Sequence, residues 1–106
     1  MRGLGDLRSL MQQAQKLQAE LAERQRKLAE ARVVASSGGG MVRAVVNGQG
    51  ELEEIHLSPE VVSEGDAEML EDLVVAAVKE AQAKAKELAQ EMMADLAGGF
   101  PPGMLP

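Results

Sequence analysis

Between two long stretches of helical periodicity, residues 33–57 lose the helical period and break into three short β-branched runs parted by glycine. No other feature constrains the fold as much, because a segment patterned for strands cannot continue a helix. The runs Val33–Ser37, Met41–Asn47 and Glu51–Leu57 carry Val33, Val34, Val42, Val45, Val46 and Ile55. In the second, Val42, Ala44 and Val46 alternate with Met41, Arg43 and Val45. Gly38-Gly39-Gly40 separates the first two runs, and Asn47-Gly48-Gln49-Gly50 the next two. Asn-Gly between apolar runs predicts a hairpin, since a tight primed turn needs positive φ at its central residues. The expectation is a three-stranded antiparallel meander.

The flanks read as helices. Over residues 6–32, Leu4, Leu7, Met11, Ala14, Leu21 and Leu28 recur at spacings of three, four and seven. Gln18 and Gln25 interrupt that heptad seam, and Leu10 and Leu17 widen it. Such a helix is roughly 40 Å long at 1.5 Å per residue. A domain of this size cannot easily cover it, so part of the helix projects or meets a partner chain. Ser58-Pro59 ends the third strand, and residues 59–65 form a polar connection. Asp66 is placed as an N-cap, with Glu68 in the first turn. The second helix runs to about Leu96 along Leu70, Leu73, Val74, Ala77, Ala81, Ala85, Leu88 and Met92. Gly98-Gly99 and Pro101-Pro102 stop it. The predicted order is α-β-β-β-α, an α+β fold in one domain over residues 1–97, followed by a flexible Gly/Pro-rich tail at 98–106.

A chain of 106 residues has room for one core. It lacks tryptophan, tyrosine, threonine and cysteine, and its one phenylalanine, Phe100, falls in the tail. The core must therefore be built from Leu, Val, Ile, Met and Ala, a composition that often needs a second subunit to bury enough apolar area. No cysteine means no disulfide framework and no thiolate metal site. With neither an apolar leader nor a long hydrophobic run, the chain reads as soluble and cytoplasmic, without membrane contact.

Glycine beside apolar residues raises the question of phosphate binding. A Walker loop needs Gly-Lys-Ser/Thr opening a helix, whereas Gly38-Gly39-Gly40 leads into Met41-Val42-Arg43 and a strand. The strand-glycine-helix order of a dinucleotide site is missing too. These glycines read as turns. His56 is the only histidine, and none of Ser9, Ser36, Ser37, Ser58 and Ser63 sits in a nucleophile elbow. The acidic run Glu64, Asp66, Glu68, Glu71, Asp72 lacks EF-hand spacing and reads as a helix start. The expectation is a protein without catalysis, cofactor, metal or small-molecule substrate.

Charge is distributed unevenly. Residues 1–32 hold seven basic and four acidic side chains, net +3; residues 33–106 hold four basic and thirteen acidic, net −9. Arg26, Lys27 and Lys16 take outward positions of the heptad, and Arg8 and Arg24 flank the seam. Glu20–Arg24 and Glu23–Lys27 are spaced as i,i+4 ion pairs, so part of this charge reads as a solvated helix face. No aromatics interleave with it, which argues against base stacking and for contacts to the phosphate backbone.

Three segments carry a resemblance: LRSLMQQAQKLQAEL, SSGGGMVRAVVNGQGELEEIHLSPEV and EMLEDLVVAAVKEAQAKAKE. Together they resemble the YbaB/EbfC family of bacterial nucleoid-associated proteins along nearly the whole chain. The resemblance implies a homodimer of α-β-β-β-α subunits whose long helices project like tweezers. It also implies binding to double-stranded DNA that changes DNA conformation, in the cytoplasm at the nucleoid, with roles in nucleoid organisation, gene regulation and DNA protection. No short catalytic or base-reading motif comes with it. By position and charge, Arg8, Lys16, Arg24, Arg26 and Lys27 are the expected DNA-contacting residues. Lys79, Lys84 and Lys86 on the second helix come next, and Arg43 is a contributor from the strand face. A dimer would carry −12, twice the −6 of one chain, which opposes long-range approach to DNA. The competing expectation is a dimeric protein-interaction module acting through its acidic second helix or tail, with no direct DNA binding.

Overall fold

The computed structural model describes residues 2–97; the expected tail at 98–106 lies outside the described residues. The elements are α1 (Arg2–Glu30), β1 (Val33–Ser37), β2 (Val42–Val46), β3 (Leu52–Leu57), a short α2 (Pro59–Ser63) and α3 (Ala67–Ala97). The α+β meander flanked by two long helices is as the periodicity predicts. Its bounds differ at the edges: α1 begins earlier and ends at Glu30, and the two later strands are each trimmed. The 59–65 segment, expected as a connection, contains a helical turn. Ser58 caps it, its Oγ accepting from the Val61 N–H at 3.2 Å, and Pro59 supplies a preset φ at the first position.

The sheet runs β1-β2-β3 with both pairings antiparallel. Val33 faces Val46 and Ala35 faces Ala44, while Ala44 faces Ile55 on the other side. Residues of one parity therefore share one face, and α3 packs on that face over β1 and β2. Its contact is made by Ala77, Ala81 and Ala85, spaced by four and at most 1% exposed. They join Ala35, Val42, Ala44, Val46 and Val61 in one core. Alanine against alanine brings the helix axis close to the sheet, so a core without aromatics is still closed. Burying each of the valines contributes roughly 1.5–3 kcal/mol. Asp66 does cap α3, its Oδ1 accepting from the Met69 N–H at 3.0 Å.

The hairpin between β2 and β3 forms, but not through a two-residue primed turn. Positive φ in this loop falls on Gly50 (φ 85°) alone, and the Gly50 N–H donates to the Asn47 carbonyl at 3.0 Å. Asn47, 7% exposed, holds the loop from inside. Its Oδ1 accepts from the Gln49 and Glu51 N–H groups at 2.9 and 3.0 Å. Gly48 is required for a different reason. Its N–H donates to the Leu28 carbonyl at 2.7 Å, and a Cβ there would lie 2.6 Å from that oxygen. This close approach fastens the C-terminal end of α1 to the hairpin, the Leu28 carbonyl accepting from both the Gly48 and the Ala31 N–H groups.

Beyond that anchor α1 leaves the body. The molecule measures 77 × 21 × 16 Å, far longer than a compact domain of this size. Leu28 is buried, Leu21 and Leu17 are half-buried, and Leu7 and Met11 are 54% and 56% exposed. Projection of the first helix, expected from its length, is what the structure has.

Candidate nucleic-acid interface

The five basic residues singled out on α1 are strung along one projecting rod. From Arg8 to Lys27 the rise is about 28 Å at 1.5 Å per residue. At 3.6 residues per turn, Lys16 and Lys27 lie opposite the leucine–methionine stripe, with Arg8 and Arg24 at its borders. Arg8, Lys16 and Lys27 are exposed and form no ion pair among the described residues.

Arg26 is different. Its Nε and Nη2 donate to the Glu23 carboxylate at 3.0 and 2.5 Å, and its Nη1 donates to both Glu30 oxygens at 3.0 and 2.9 Å. The Glu23 and Glu30 carboxylates raise the guanidinium pKa still further, and the Arg26 hydrogen bond holds Glu23 below the usual carboxylate range. One arginine thus neutralises part of two acids. The i,i+4 pairs anticipated from spacing, Glu20–Arg24 and Glu23–Lys27, are not among the described ion pairs. The arginine fork takes Glu23 at i−3 and Glu30 at i+4 instead, because it can meet two carboxylates in bidentate fashion where a lysine cannot. Lys27 is thereby left uncommitted.

Arg24 is half-buried, and its Nε is shielded from solvent without a hydrogen-bond partner among the described residues. Its stem lies along the apolar border, so any contact to a partner falls to the terminal nitrogens. The second-helix candidates divide as well. Lys84 Nζ donates to the Val34 carbonyl at 3.4 Å and lies 3.9 Å from Glu80. Lys86 lines an open groove between α1 and α3 with Gln25, Leu28, Gln82 and Met93. Lys79 is exposed. Arg43 is on the sheet face away from α3, opposite His56, and distant in sequence and element from the α1 row. The structure therefore gathers the α1 residues on one element and leaves the others apart.

The remaining polar chemistry serves the fold. His56 Nε2 is 3.2 Å from Glu54 Oε1, and Arg32 pairs with the same carboxylate across the outer sheet face. The Arg32 contact, with a smaller contribution from His56, depresses the Glu54 pKa. Ser37 Oγ donates to the Leu73 carbonyl at 2.5 Å, tying β1 to α3. Among the described residues no cluster of three or more acidic or histidine side chains is placed to hold a metal ion. Nor is any described helix long and apolar enough to cross a membrane.

Comparison with known proteins places this geometry. The model of the YbaB/EbfC DNA-binding family matches residues 3–100. The chain belongs to that family. A nucleoid-associated protein of Rhodococcus opacus is 43% identical over 104 residues, covering 98% of this chain and 92% of its own. One from Saccharopolyspora erythraea is 46% identical over 98 residues, covering 92% and 84%. One from Caldanaerobacter subterraneus is 45% identical over 95 residues, covering 90% and 86%. The same fold is also seen in the crystal structure of an uncharacterised Helicobacter pylori protein. That structure superposes with a TM-score of 0.73 at 20% identity, covering 83% of this chain and 92% of the other. The fold and the family thus agree with the α-β-β-β-α reading of the sequence.

Proposed function

We propose that this chain is a non-enzymatic, homodimeric protein of the nucleoid that binds double-stranded DNA through its phosphates and alters its conformation. Membership in a DNA-binding family supports the nucleic-acid partner, and relatives named nucleoid-associated proteins support the location. The observation that carries the mechanism is the charge of the rod. Net positive charge is confined to the segment containing α1, while the body carries −9. The molecule is 77 Å long and exposure rises along α1 away from Leu28, so phosphates can approach its N-terminal part at a distance from the acidic body. Phosphate contacts position a protein without reading bases, and no side chain on α1 has the aromatic character for stacking. Nucleoid organisation, gene regulation and DNA protection are the roles such binding would serve.

Among the candidates, Lys16, Lys27 and Arg8 are the leading contacts, since they are exposed and uncommitted. Arg24 contributes through its terminal nitrogens. Arg26 contributes least, because contact with DNA must first displace Glu23 or Glu30. The test is binding to a labelled duplex across a salt series. A slope of log affinity against log salt on the order of −3 to −6 is expected for several phosphate contacts. Arg8→Ala, Lys16→Ala and Lys27→Ala combined should flatten it by roughly 0.9 per phosphate no longer neutralised. No binding at low salt would remove the DNA reading for this chain and turn attention to a protein partner for its acidic surface.

A further inference from the structure

The apolar stripe of α1 outlasts its cover. α1 touches α3, and Gln25 and Leu28 share a groove with Lys86, Ala89 and Met93. Toward the N-terminus of α1 half-burial ends at Leu17, while on α3 it continues toward the C-terminus as far as Leu96. The two helices therefore run antiparallel along the arm and stay in step. Leu28 to Leu17 spans about 16 Å, and so does Lys86 to Ala97, at 1.5 Å per residue. α3 thus ends level with Leu17. Beyond that level Leu7, Leu10 and Met11 are 54%, 58% and 56% exposed, an apolar surface at the tip of the arm.

A grouped apolar surface of this kind marks an interaction site. The chain supplies an occupant that starts at the right place. Residues 98–106, GGFPPGMLP, follow directly on α3 and lie outside the described residues. They hold the one aromatic side chain of the protein, Phe100, together with Met104 and Leu105, and no charged side chain. Extended proline-containing backbone advances about 3.1 Å per residue, which brings Phe100 level with Met11 and Met104 level with Leu7, with length to spare. Next to Leu7 and Met11, Gly5 leaves a concavity on the helix surface that can receive a bulky side chain.

We propose that residues 98–106 dock on the Leu7–Leu10–Met11 surface of α1 in the same chain, continuing along the arm the cover that α3 provides as far as Leu17. Gly98-Gly99 lets the backbone leave the helix axis and cross to α1. Two arguments favour this occupant over the α1 of a second copy. A second α1 would set another segment of net +3 against the first, whereas residues 98–106 bring no charge. A segment tethered at Ala97 also meets the surface at an effective concentration on the order of millimolar, which a separate chain at micromolar concentration does not match. The docked segment leaves the face with Lys16 open, so covering the stripe and contacting phosphates do not compete. The inference is independent of the DNA reading above.

The chain has no tryptophan or tyrosine, so Phe100→Trp creates a single emitter. In the folded full chain its fluorescence should lie at shorter wavelength than in urea, with acrylamide quenching several-fold weaker. Adding Met11→Asp, at an exposed position and with folding checked by circular dichroism, should return both readings to their values in urea. Val75→Asp, at an equally exposed apolar position on the body, should leave them unchanged. Emission that already matches the urea value in Phe100→Trp, or that ignores Met11→Asp, overturns the proposal. So does an equal response to Val75→Asp. Own-chain docking is separated from exchange between chains by refolding the Phe100→Trp, Met11→Asp variant together with excess unmodified protein. No recovery is expected, because the emitting chain carries the damaged surface. Recovery of the short-wavelength emission would mean that the segment reaches the α1 of another copy, and would overturn docking within the chain.

Discussion

Two helices of nearly equal length, 29 residues in α1 and 31 in α3, have opposite fates in this protein. Both carry an apolar stripe at helical spacing. In α3 the middle of the stripe is alanine, and Ala77, Ala81 and Ala85 press against the sheet until almost nothing is exposed. In α1 the stripe is built of leucine and methionine, yet Leu7, Leu10 and Met11 are all more than half exposed. A stripe is buried only where a surface of matching shape lies within reach, and the one sheet face is already taken by α3. Size of the apolar side chain does not decide burial; the available partner surface does. What is left uncovered on α1 is then accompanied by basic residues on the other side, and the helix becomes an arm.

The sharpest way to break this comparison is at the fastening between arm and body. Gly48→Ala puts a Cβ 2.6 Å from the Leu28 carbonyl oxygen. It should destabilise the protein toward the upper end of the roughly 1–3 kcal/mol typical of overpacking. Urea denaturation measures this, and an unchanged midpoint would mean that α1 is not held by that contact. Next comes the alanine stripe itself. Ala81→Leu should cost about 1–3 kcal/mol by forcing α3 from the sheet. Ala14→Leu on exposed α1 should stay within about 0.5 kcal/mol. Equal losses from the two would erase the distinction between the helices.

The binding comparison is expected to give smaller changes. Lys16→Ala with Lys27→Ala should lower duplex affinity several-fold and reduce the salt slope by roughly 0.9 for each phosphate that goes unneutralised. Lys79→Ala on α3, although equally exposed, should leave both nearly unchanged. Within α1, Arg26→Ala should weaken binding less than Lys27→Ala, and the reverse order would mean that the Glu23–Arg26–Glu30 pairing opens readily. The smallest effect concerns the outer sheet face. Glu54 has a folded-state pKa below its ordinary value of 4.5. Its contribution is therefore fully present above that value and lost as pH falls through the depressed one. Glu54→Gln should slightly flatten the acid limb of the stability curve below about pH 4.5, as read by thermal melts between pH 3 and 6. A limb of unchanged slope would show that the solvent-exposed Arg32 pair contributes nothing measurable.

The order of elements was legible because period two and period 3.6 are properties of the chain read along its length. Asp66 as a cap and the alanine stripe on α3 were legible for the same reason. The helical turn at Pro59–Ser63 was missed because five residues give no periodicity, although Ser58-Pro59 carries both the cap and the preset φ of a helix start. The basic positions along α1 could be read from the sequence, but not which of them are already paired. Spacing marked Glu20–Arg24 and Glu23–Lys27 as pairs, whereas side-chain geometry joined Arg26 to two other neighbours.

By itself, then, the sequence determined the α-β-β-β-α order, the basic first helix against an acidic body, and a core limited to small and aliphatic side chains. Each follows from local pattern and composition, which need no knowledge of what lies nearby in space. Only the tertiary structure decided which helix is buried, which basic residues are uncommitted and why Gly48 must be glycine. Those depend on distances between groups far apart in the chain, such as Leu28 and Gly48 or Lys84 and Val34. Periodicity carries no information about such meetings, because they are set by how the elements pack.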